Sequence, residues 1–318
     1  MPDGMPGNVA FPGGLGCCAG ATGLIPPWLD VRLALAARCC EGAAMSLDPP
    51  VPPGVDPSVP SPARIYDYIL GGSYNFQSDR DAADQALAQV PERRDISMAN
   101  RGFHGRAARW MAEQGVGQFL DLGSGLPTVG NTHEVVGAVV PGARTVYVDI
   151  DPMVSVCAAD LLADPATTRV VMADLRDPDA VLGHPDVRAV IDFAVPVGLL
   201  MTGVLHFVSD DSDPWAIVGR YTRKLAPGSY LAISHATYEN VPQRSVQAGR
   251  EEYARASEQF YFRSRAEIAR LFDGLELVPP REGAEPDLAY LGEWGAEDPV
   301  LADSDGSRWG YCAVVRRP

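Results

Sequence analysis

From residue 116 onward, short apolar runs alternate with longer segments of helical periodicity. The runs predict strands near residues 118–122, 144–148, 169–172, 197–204, 229–234, 275–278 and 310–315. Strands that alternate with helices are typical of an α/β protein with a mostly parallel sheet and helices on both faces. The last two runs flank the Gly/Asp-rich stretch 281–308, so we expect them to form a late hairpin.

Helix starts are marked by capping residues followed by proline. Ser61-Pro62 is such a start, and Gly71-Gly72 is expected to end the helix. Further helices are predicted at about 79–89 and 95–114. Other starts are predicted at Asp151-Pro152, at Asp213-Pro214 and at the capping box of residues 264–267.

These elements divide the chain into three parts. Residues 1–60 are rich in Gly and Pro and are expected to be a disordered extension and linker. Residues 61–115 are predicted to form an N-terminal helical cap, and 116–318 the cofactor-binding domain. The cap carries four aromatic residues that could fold over the sheet edge as a lid with Gly71-Gly72 as a hinge, and core packing is an equally good reading: Tyr66, Tyr68, Tyr74 and Phe76.

The chemistry-bearing pattern is the unit from residue 118 to residue 151. The first strand ends in the turn Gly123-Ser124-Gly125, and the second ends in Asp149. An acid at the second strand end can accept hydrogen bonds from both hydroxyls of a ribose, while a turn without side chains lets the ligand approach the backbone. Gly125 is followed by Leu126, Pro127 and Thr128 instead of a third glycine, which disfavours a pyrophosphate.

A nucleoside ligand without phosphate, such as S-adenosyl-L-methionine, fits this pattern better than a dinucleotide. Asp121 is expected beneath the turn, where it could orient the turn or the ammonium group of the ligand. At the third strand end, Asp174 could accept a hydrogen bond from the adenine amino group, and Leu175 could pack on the ring. Ile150 completes the predicted cofactor-binding residues.

Charge and cysteine content restrict the partners. The 318 residues carry a net charge of −15, which opposes binding to nucleic acid and to anionic membranes. The six cysteines show no metal-binding or redox spacing, so we predict no metal site and a reduced, cytoplasmic protein. The oligomeric state cannot be read from these features.

Several segments resemble a family of S-adenosylmethionine-dependent methyltransferases that is abundant in actinobacteria and whose substrates are largely unassigned. The matching segments cover residues 64–76, 99–111, 118–128, 146–152 and 204–208, and the resemblance extends over about 58–318. It implies the class I methyltransferase fold, with a Rossmann-like seven-stranded sheet, and a cofactor role for the matching turn and acids. Of the 26 basic residues only Lys224 is a lysine, which agrees with a GC-rich actinobacterial genome.

The acceptor side is less informative. His206, just after the fourth strand, is the best-placed base for an oxygen nucleophile, although a structural role is the more common one for a residue at this position. His235 and Tyr238 are weaker candidates, and His104 and His133 are expected to be packing or surface residues. Motifs for nucleobase amines and for a cysteine nucleophile are missing from the sequence, which favours a small-molecule acceptor.

Two other functions remain open at this point. The chain could bind S-adenosylmethionine as a regulatory protein without transfer, which turnover to S-adenosylhomocysteine would exclude. It could instead be an NAD-dependent oxidoreductase, because Asp149 suits that cofactor equally; a comparison of the binding of the two cofactors decides between them.

Overall fold

In the computed structural model, the structure describes residues 48–126, 130–161, 166–254 and 256–318, with the side chains of 158–161 excepted. Most of the predicted disordered extension therefore lies outside the described residues, as do Pro127 and Thr128. Residues 48–60 contain no helix or strand. Several hydrogen bonds join them to the rest of the chain, among them one from Ser78 Oγ to the carbonyl of Pro57 at 2.7 Å and one from Ser257 N to the carbonyl of Pro60 at 3.1 Å.

The described residues contain one sheet of eight strands, in the order β3-β2-β1-β4-β5-β8-β6, with β7 paired to β8. The strands are β1 (Gln118–Leu122), β2 (Arg144–Asp149), β3 (Thr168–Met172), β4 (Gly198–Thr202), β5 (Tyr230–Ala236), β6 (Glu276–Leu277), β7 (Ala289–Tyr290) and β8 (Gly310–Arg316). The first five strands are parallel, and β8 is antiparallel to its neighbours. All seven predicted strands are confirmed. The additional β7 has only two residues, too few to show a periodicity in sequence.

Eleven α-helices lie in the described residues, and three of them begin at predicted caps, namely Ser61, Asp213 and Ser264. They are α1 (Pro62–Ile69), α2 (Gln77–Gln89), α3 (Arg93–Glu113), α4 (Thr132–Gly137), α5 (Val154–Leu161), α6 (Pro178–Gly183), α7 (Pro185–Val190), α8 (Pro214–Lys224), α9 (Gln243–Tyr253), α10 (Arg265–Ala269) and α11 (Pro299–Ala302). The start predicted at Asp151-Pro152 is two residues early, because the Asp151 carboxylate accepts a hydrogen bond from Met153 N and forms a turn before α5. None of the helices in this part of the chain is long and apolar enough to cross a membrane.

The core lies on both faces of the sheet because side chains alternate along each strand. In β1, Leu120 and Leu122 belong to one hydrophobic cluster, whereas Phe119 packs on the opposite face with Phe103 and Met111 of α3. Each fully buried side chain of this size contributes about 1.5–3 kcal/mol to folding. This double-sided burial explains why the strands are continuous apolar runs.

The region predicted as a cap has two kinds of contact. The helix α3 shares the core of the sheet, whereas α1 packs on α2 and on Tyr253, with Ile65 and Ile69 buried between them. Gly71 has φ +87° and Gly72 N donates to the carbonyl of Asp67 at 2.8 Å. The two glycines therefore close the C-terminus of α1, which is a local reason for glycine at this point.

Candidate functional site

A cavity of about 510 Å³ lies at the carboxyl ends of the parallel strands. The loops after β1, β2, β3 and β4 and the end of β5 contribute to its walls. The helices α1 and α3 and residues from the segments 54–61 and 257–260 line it from above the sheet edge. Ligands of open α/β sheets bind at this edge, and the volume is within the usual range for small-molecule sites, about 300–1,000 Å³.

The turn after β1 uses its two glycines for different reasons. Both have positive φ, +66° at Gly123 and +63° at Gly125. A Cβ atom at Gly123 would lie 2.1 Å from Cγ2 of Val204, whereas one at Gly125 would have no atom within 4 Å. Glycine at 123 is thus required for packing against Val204, a contact that the sequence reasoning missed. The open face of the turn is at Gly125.

Asp149 holds this turn and faces the same cavity. Its Oδ2 accepts a hydrogen bond from Gly125 N at 2.8 Å, and its Oδ1 accepts one from Asp151 N at 3.0 Å. Burial raises the pKa of Asp149 to about 6, although the backbone hydrogen bonds oppose the rise. Each oxygen keeps a second lone pair for a ligand hydroxyl. Ile150, 46% exposed, lines the cavity beside it.

A neighbouring acid connects this corner to the N-terminal helix. Ser61 Oγ donates a hydrogen bond to Asp151 Oδ2, and Arg64 Nη1 lies 3.9 Å from the same oxygen. Arg64 is itself buried and paired with Asp79 at 3.0 Å. Ser61 was predicted only as a helix cap; its contact with Asp151 depends on the tertiary structure.

Asp174 lines the cavity but is engaged by an arginine. Its carboxylate accepts hydrogen bonds from Arg176 Nε at 2.8 and 2.9 Å, and Arg176 Nη1 also contacts Glu258 at 3.2 Å. Leu175 is 9% exposed and packs in the core cluster, so only a small part of it faces the cavity. Sequence reasoning missed both Arg176 and Glu258. Arg176 is only two residues from Asp174, whereas no local pattern connects Glu258 to them, because it lies 82 residues beyond Arg176.

Asp121 lies apart from the main cavity, in a small pocket of about 10 Å³ that Ser124 and Gly125 also line. It accepts a hydrogen bond from Thr132 Oγ1 at 2.6 Å, and burial raises its pKa to about 6. Because Thr132 donates to Asp121, its oxygen accepts from His104 Nε2 at 2.8 Å, which leaves His104 Nδ1 to accept from Thr202 Oγ1 at 2.8 Å. His104 is therefore buried and neutral, and it lines the cavity.

His206 lies in a 3₁₀ turn (Leu205–Phe207) after β4 and lines the same cavity. Its Nδ1 is buried without a hydrogen-bond partner among the described residues. Burial, with the nearby His235, Arg93 and Arg263, holds the pKa of the His206 imidazole well below its usual value, so the ring is neutral. An unpartnered buried nitrogen costs about 1–3 kcal/mol, which a ligand can relieve.

Two of the weaker candidates are poorly placed for catalysis. His235 Nδ1 donates to the carbonyl of Ala236 at 2.7 Å, and its Nε2 accepts from Arg263 Nη1 at 2.7 Å, so neither nitrogen is available as a base. Tyr238 is 44% exposed and does not line the cavity.

Of the four aromatic residues considered for a lid, only Tyr66 lines the cavity. Its hydroxyl donates to the carbonyl of Ser97 at 2.9 Å and accepts from Asn100 Nδ2 at 3.1 Å. Asn100 in turn accepts from Ser234 Oγ at the end of β5. This chain joins α1, α3 and the sheet, and the sequence carried no signal for it.

The residues present fit an adenosine ligand with an amino-acid tail. A carboxylate stands at the β2 end, the face of the turn is open at Gly125, and an exposed Ile150 offers an apolar surface beside the carboxylate. Together with the strand order, these features define a nucleoside-binding α/β protein of the methyltransferase class.

The chain belongs to the S-adenosyl methyltransferase family, whose model matches residues 50–318. It is similar to a candidate methyltransferase from Thermobifida fusca, with 42% identity, a TM-score of 0.76, and coverage of 84% of this chain and 98% of that one. It is also similar to a DUF574 family protein from Streptomyces avermitilis, with 38% identity, a TM-score of 0.76, and coverage of 83% and 99%. A comparison with curated proteins found no significant match.

These findings confirm the predicted fold class, the cofactor S-adenosyl-L-methionine and the activity: the chain is an S-adenosylmethionine-dependent methyltransferase. They do not favour the regulatory protein or the NAD-dependent oxidoreductase.

Proposed function

We propose that the chain methylates a small-molecule acceptor that binds beside His206. The observation that carries this proposal is the continuity of the cavity, which is lined by Asp149 and Ile150 on the β2 side and by His206 and Ser234 on the β4 and β5 side. A cofactor at the first position and an acceptor at the second would thus lie in one continuous cavity. The net charge of −15 supports a small acceptor over nucleic acid.

For the cofactor we propose the following contacts. Asp149 accepts hydrogen bonds from the ribose hydroxyls, Ile150 packs on the adenine, and the open face at Gly125 admits the amino-acid tail. Asp174 accepts from the adenine amino group with the oxygen lone pairs that Arg176 leaves free. Gly123, Ser124, Asp121 and Leu175 support these groups from the turn, the small pocket and the core.

When bound, S-adenosylmethionine supplies a methyl group activated by a sulfonium. The protein must place the acceptor nucleophile in line and keep water away. The 3₁₀ turn that carries His206 is held for this purpose by Arg263, which is 2% exposed and donates to the carbonyls of Leu205 and Val208 at 2.9 and 2.6 Å. Tyr261 N adds a hydrogen bond to the carbonyl of His206 at 2.7 Å. These hydrogen bonds fix the backbone of the turn before the acceptor binds, whereas the imidazole ring can still rotate.

The neutral His206 imidazole accepts a hydrogen bond from the O–H or N–H of the acceptor. As the nucleophile gains the methyl group, it loses this proton to the imidazole, which passes it to water because its lowered pKa disfavours the charged ring. A small turn of the ring about Cβ–Cγ would bring the buried Nδ1 toward the acceptor.

Substitution of His206 tests the proposal. We expect His206→Asn to leave the affinity for S-adenosylhomocysteine within twofold and to reduce methyl transfer by on the order of 10²-fold, measured by mass spectrometry of metabolite extracts incubated with labelled cofactor. His184→Asn is the matched control, because His184 caps α7 on the surface, where Asn also serves as a cap. Equal transfer by the His206 variant and wild type would remove His206 from the reaction.

We also propose that the cofactor increases the order of the cap around α1. The support is the contact of Ser61 with Asp151, whose backbone N–H donates to Asp149. Hydrogen exchange with and without S-adenosylhomocysteine tests this: protection should rise in 61–76 as well as at 123–125 and 149. Protection confined to the sheet edge would show that α1 is a static part of the structure.

A further inference from the structure

Four rings form a continuous aromatic wall on the acceptor side of the cavity: His206, Phe207, Tyr253 and Phe260. Phe260 lies at their centre, with its centroid 4.3 Å from His206 at an interplanar angle of 30° and 5.2 Å from Tyr253 at 18°. Phe207 packs edge-on against both Tyr253 and Phe260. All four residues line the cavity, and His206, Phe207 and Phe260 are only partly buried. Ring surface thus remains available inside the cavity.

This aromatic wall is separate from the nucleoside end. It lies beyond the ends of β4 and β5, whereas Asp149 ends β2, on the other side of β1 in the sheet. Since neighbouring strands are about 4.8 Å apart, β2 and β5 are separated by roughly 14 Å at the sheet edge. A nucleoside held by Asp149 therefore does not account for the free ring surface of Phe207 and Phe260.

The charged side chains next to the aromatic wall are already paired. Arg93, whose guanidinium lies over the ring of Tyr253, contacts Glu252 at 2.9 Å. Arg263 contacts Asp210 at 2.7 Å. His206 is neutral because burial lowers its pKa. Burial raises the pKa of Glu252 to about 7, so the Arg93 charge is compensated above that pH. There, an acceptor group with a net charge would find no uncompensated counter-charge in these residues, and its desolvation would be costly.

We infer that the acceptor carries a neutral aromatic ring, which packs against the aromatic wall and presents a hydroxyl or amino group to His206. The inference rests on the proposed function, because it takes this end of the cavity as the acceptor site. Aromatic rings prefer offset-stacked or edge-on contacts with other rings, and the wall offers ring faces and edges at such distances. A saturated ring of the same size would fill the space without these contacts.

Three probes test the inference by calorimetry on protein saturated with S-adenosylhomocysteine. They are 2-naphthol, its saturated counterpart decahydro-2-naphthol, and 2-naphthoate, which carries a charge. We expect 2-naphthol to bind about tenfold more tightly than either of the others. If decahydro-2-naphthol binds as tightly as 2-naphthol or more tightly, the acceptor site does not prefer an aromatic ring. If 2-naphthoate binds more tightly than 2-naphthol, the site does not prefer a neutral acceptor.

Variants then locate the effect. Phe260→Leu should remove most of the preference for 2-naphthol over its saturated counterpart while the affinity for S-adenosylhomocysteine stays within twofold. Tyr230→Leu is the matched control, because Tyr230 is a partly buried aromatic residue at the opposite end of β5, where it packs edge-on against Trp110. A preference retained in Phe260→Leu would place the ring elsewhere and overturn the inference.

Failure of the two hypotheses can be told apart. If wild-type protein does not bind S-adenosylhomocysteine, the proposed use of the cavity fails, and this inference fails with it. If S-adenosylhomocysteine binds and the probes show no aromatic preference, only the inference about the acceptor fails.

Discussion

Asp149→Asn is the substitution that tests the nucleoside site most directly. The wild-type carboxylate accepts one backbone N–H on each oxygen, from Gly125 at 2.8 Å and from Asp151 at 3.0 Å. An asparagine has one oxygen and one NH₂ group, so it can accept from only one of these two donors. The other N–H would face the NH₂ group, which is also a donor, so that hydrogen bond of the turn is lost. The substitution also removes the negative charge from the site.

The expected effect on binding follows from the proposed ribose contacts. Hydrogen bonds to charged groups contribute about 1 kcal/mol more than neutral ones, and two hydroxyls are involved. Asp149→Asn should therefore weaken S-adenosylhomocysteine binding by about 2 kcal/mol, or roughly 30-fold. Asp149→Ala removes both acceptors and should weaken binding at least as much.

Isothermal titration calorimetry at pH 7.5 measures the change, with thermal unfolding as a check that each variant is folded. Asp192→Asn is the control, because Asp192 also accepts a backbone N–H, from Ala194 at 2.9 Å, but is exposed and precedes β4 at the opposite edge of the sheet. Its affinity should equal that of wild type. A folded Asp149→Asn protein with an affinity within twofold of wild type would refute the assignment of Asp149.

Three further predictions concern the same cavity. Gly123→Ala should destabilise the fold by several kcal/mol, because the new Cβ would overlap Val204 at 2.1 Å. Gly125→Ala should destabilise it by only about 1 kcal/mol, because only its positive φ opposes a side chain. The midpoint of thermal unfolding measures both effects. Glu258→Gln should raise the rate of S-adenosylhomocysteine dissociation by less than about fivefold, since its pair with Arg176 is partly exposed; a larger change in stopped-flow measurements would show that this pair does more than cover the adenine end. Burial raises the pKa of Asp149 to about 6, and the ionised form is the better acceptor, so affinity should increase as the pH rises through about 6 and be lost below it. Burial also raises the pKa of Asp121 to about 6, so both carboxylates titrate in this pH range. The Asp149→Asn variant separates them, because the pH dependence of affinity that it loses is due to Asp149.

Much of the fold could be predicted because its signals are local. The apolar runs of β1 and β2 reflect burial on both faces, and the caps at Asp213 and Ser264 satisfy N–H groups within three residues. The glycine turn and Asp149 belong to one strand-helix-strand unit, so their proximity follows from the connection itself. The start of α5 was misplaced because Asp151-Pro152 forms a turn that resembles a helix cap in sequence.

The parts of the site that could not be predicted are contacts between distant segments. Three such contacts join elements that only the packed sheet brings together: Val204 with Gly123, Ser61 with Asp151, and Glu258 with Arg176. The position of His206 after a strand could be predicted from the sequence. Its ring contact with Phe260 could not, because the two residues are far apart in the chain.

The sequence by itself determined seven of the eight strands, several helix starts, where the nucleoside-binding unit lies and which cofactor suits it, because periodicity, capping and turn chemistry act over a few neighbouring residues. The tertiary structure alone decided which glycine packs against Val204, which histidine keeps a nitrogen free, and which rings form the aromatic wall. Hydrophobic burial is not directional, so a pattern shows that a side chain is buried without showing its partner. The partner is selected only when all segments pack at once.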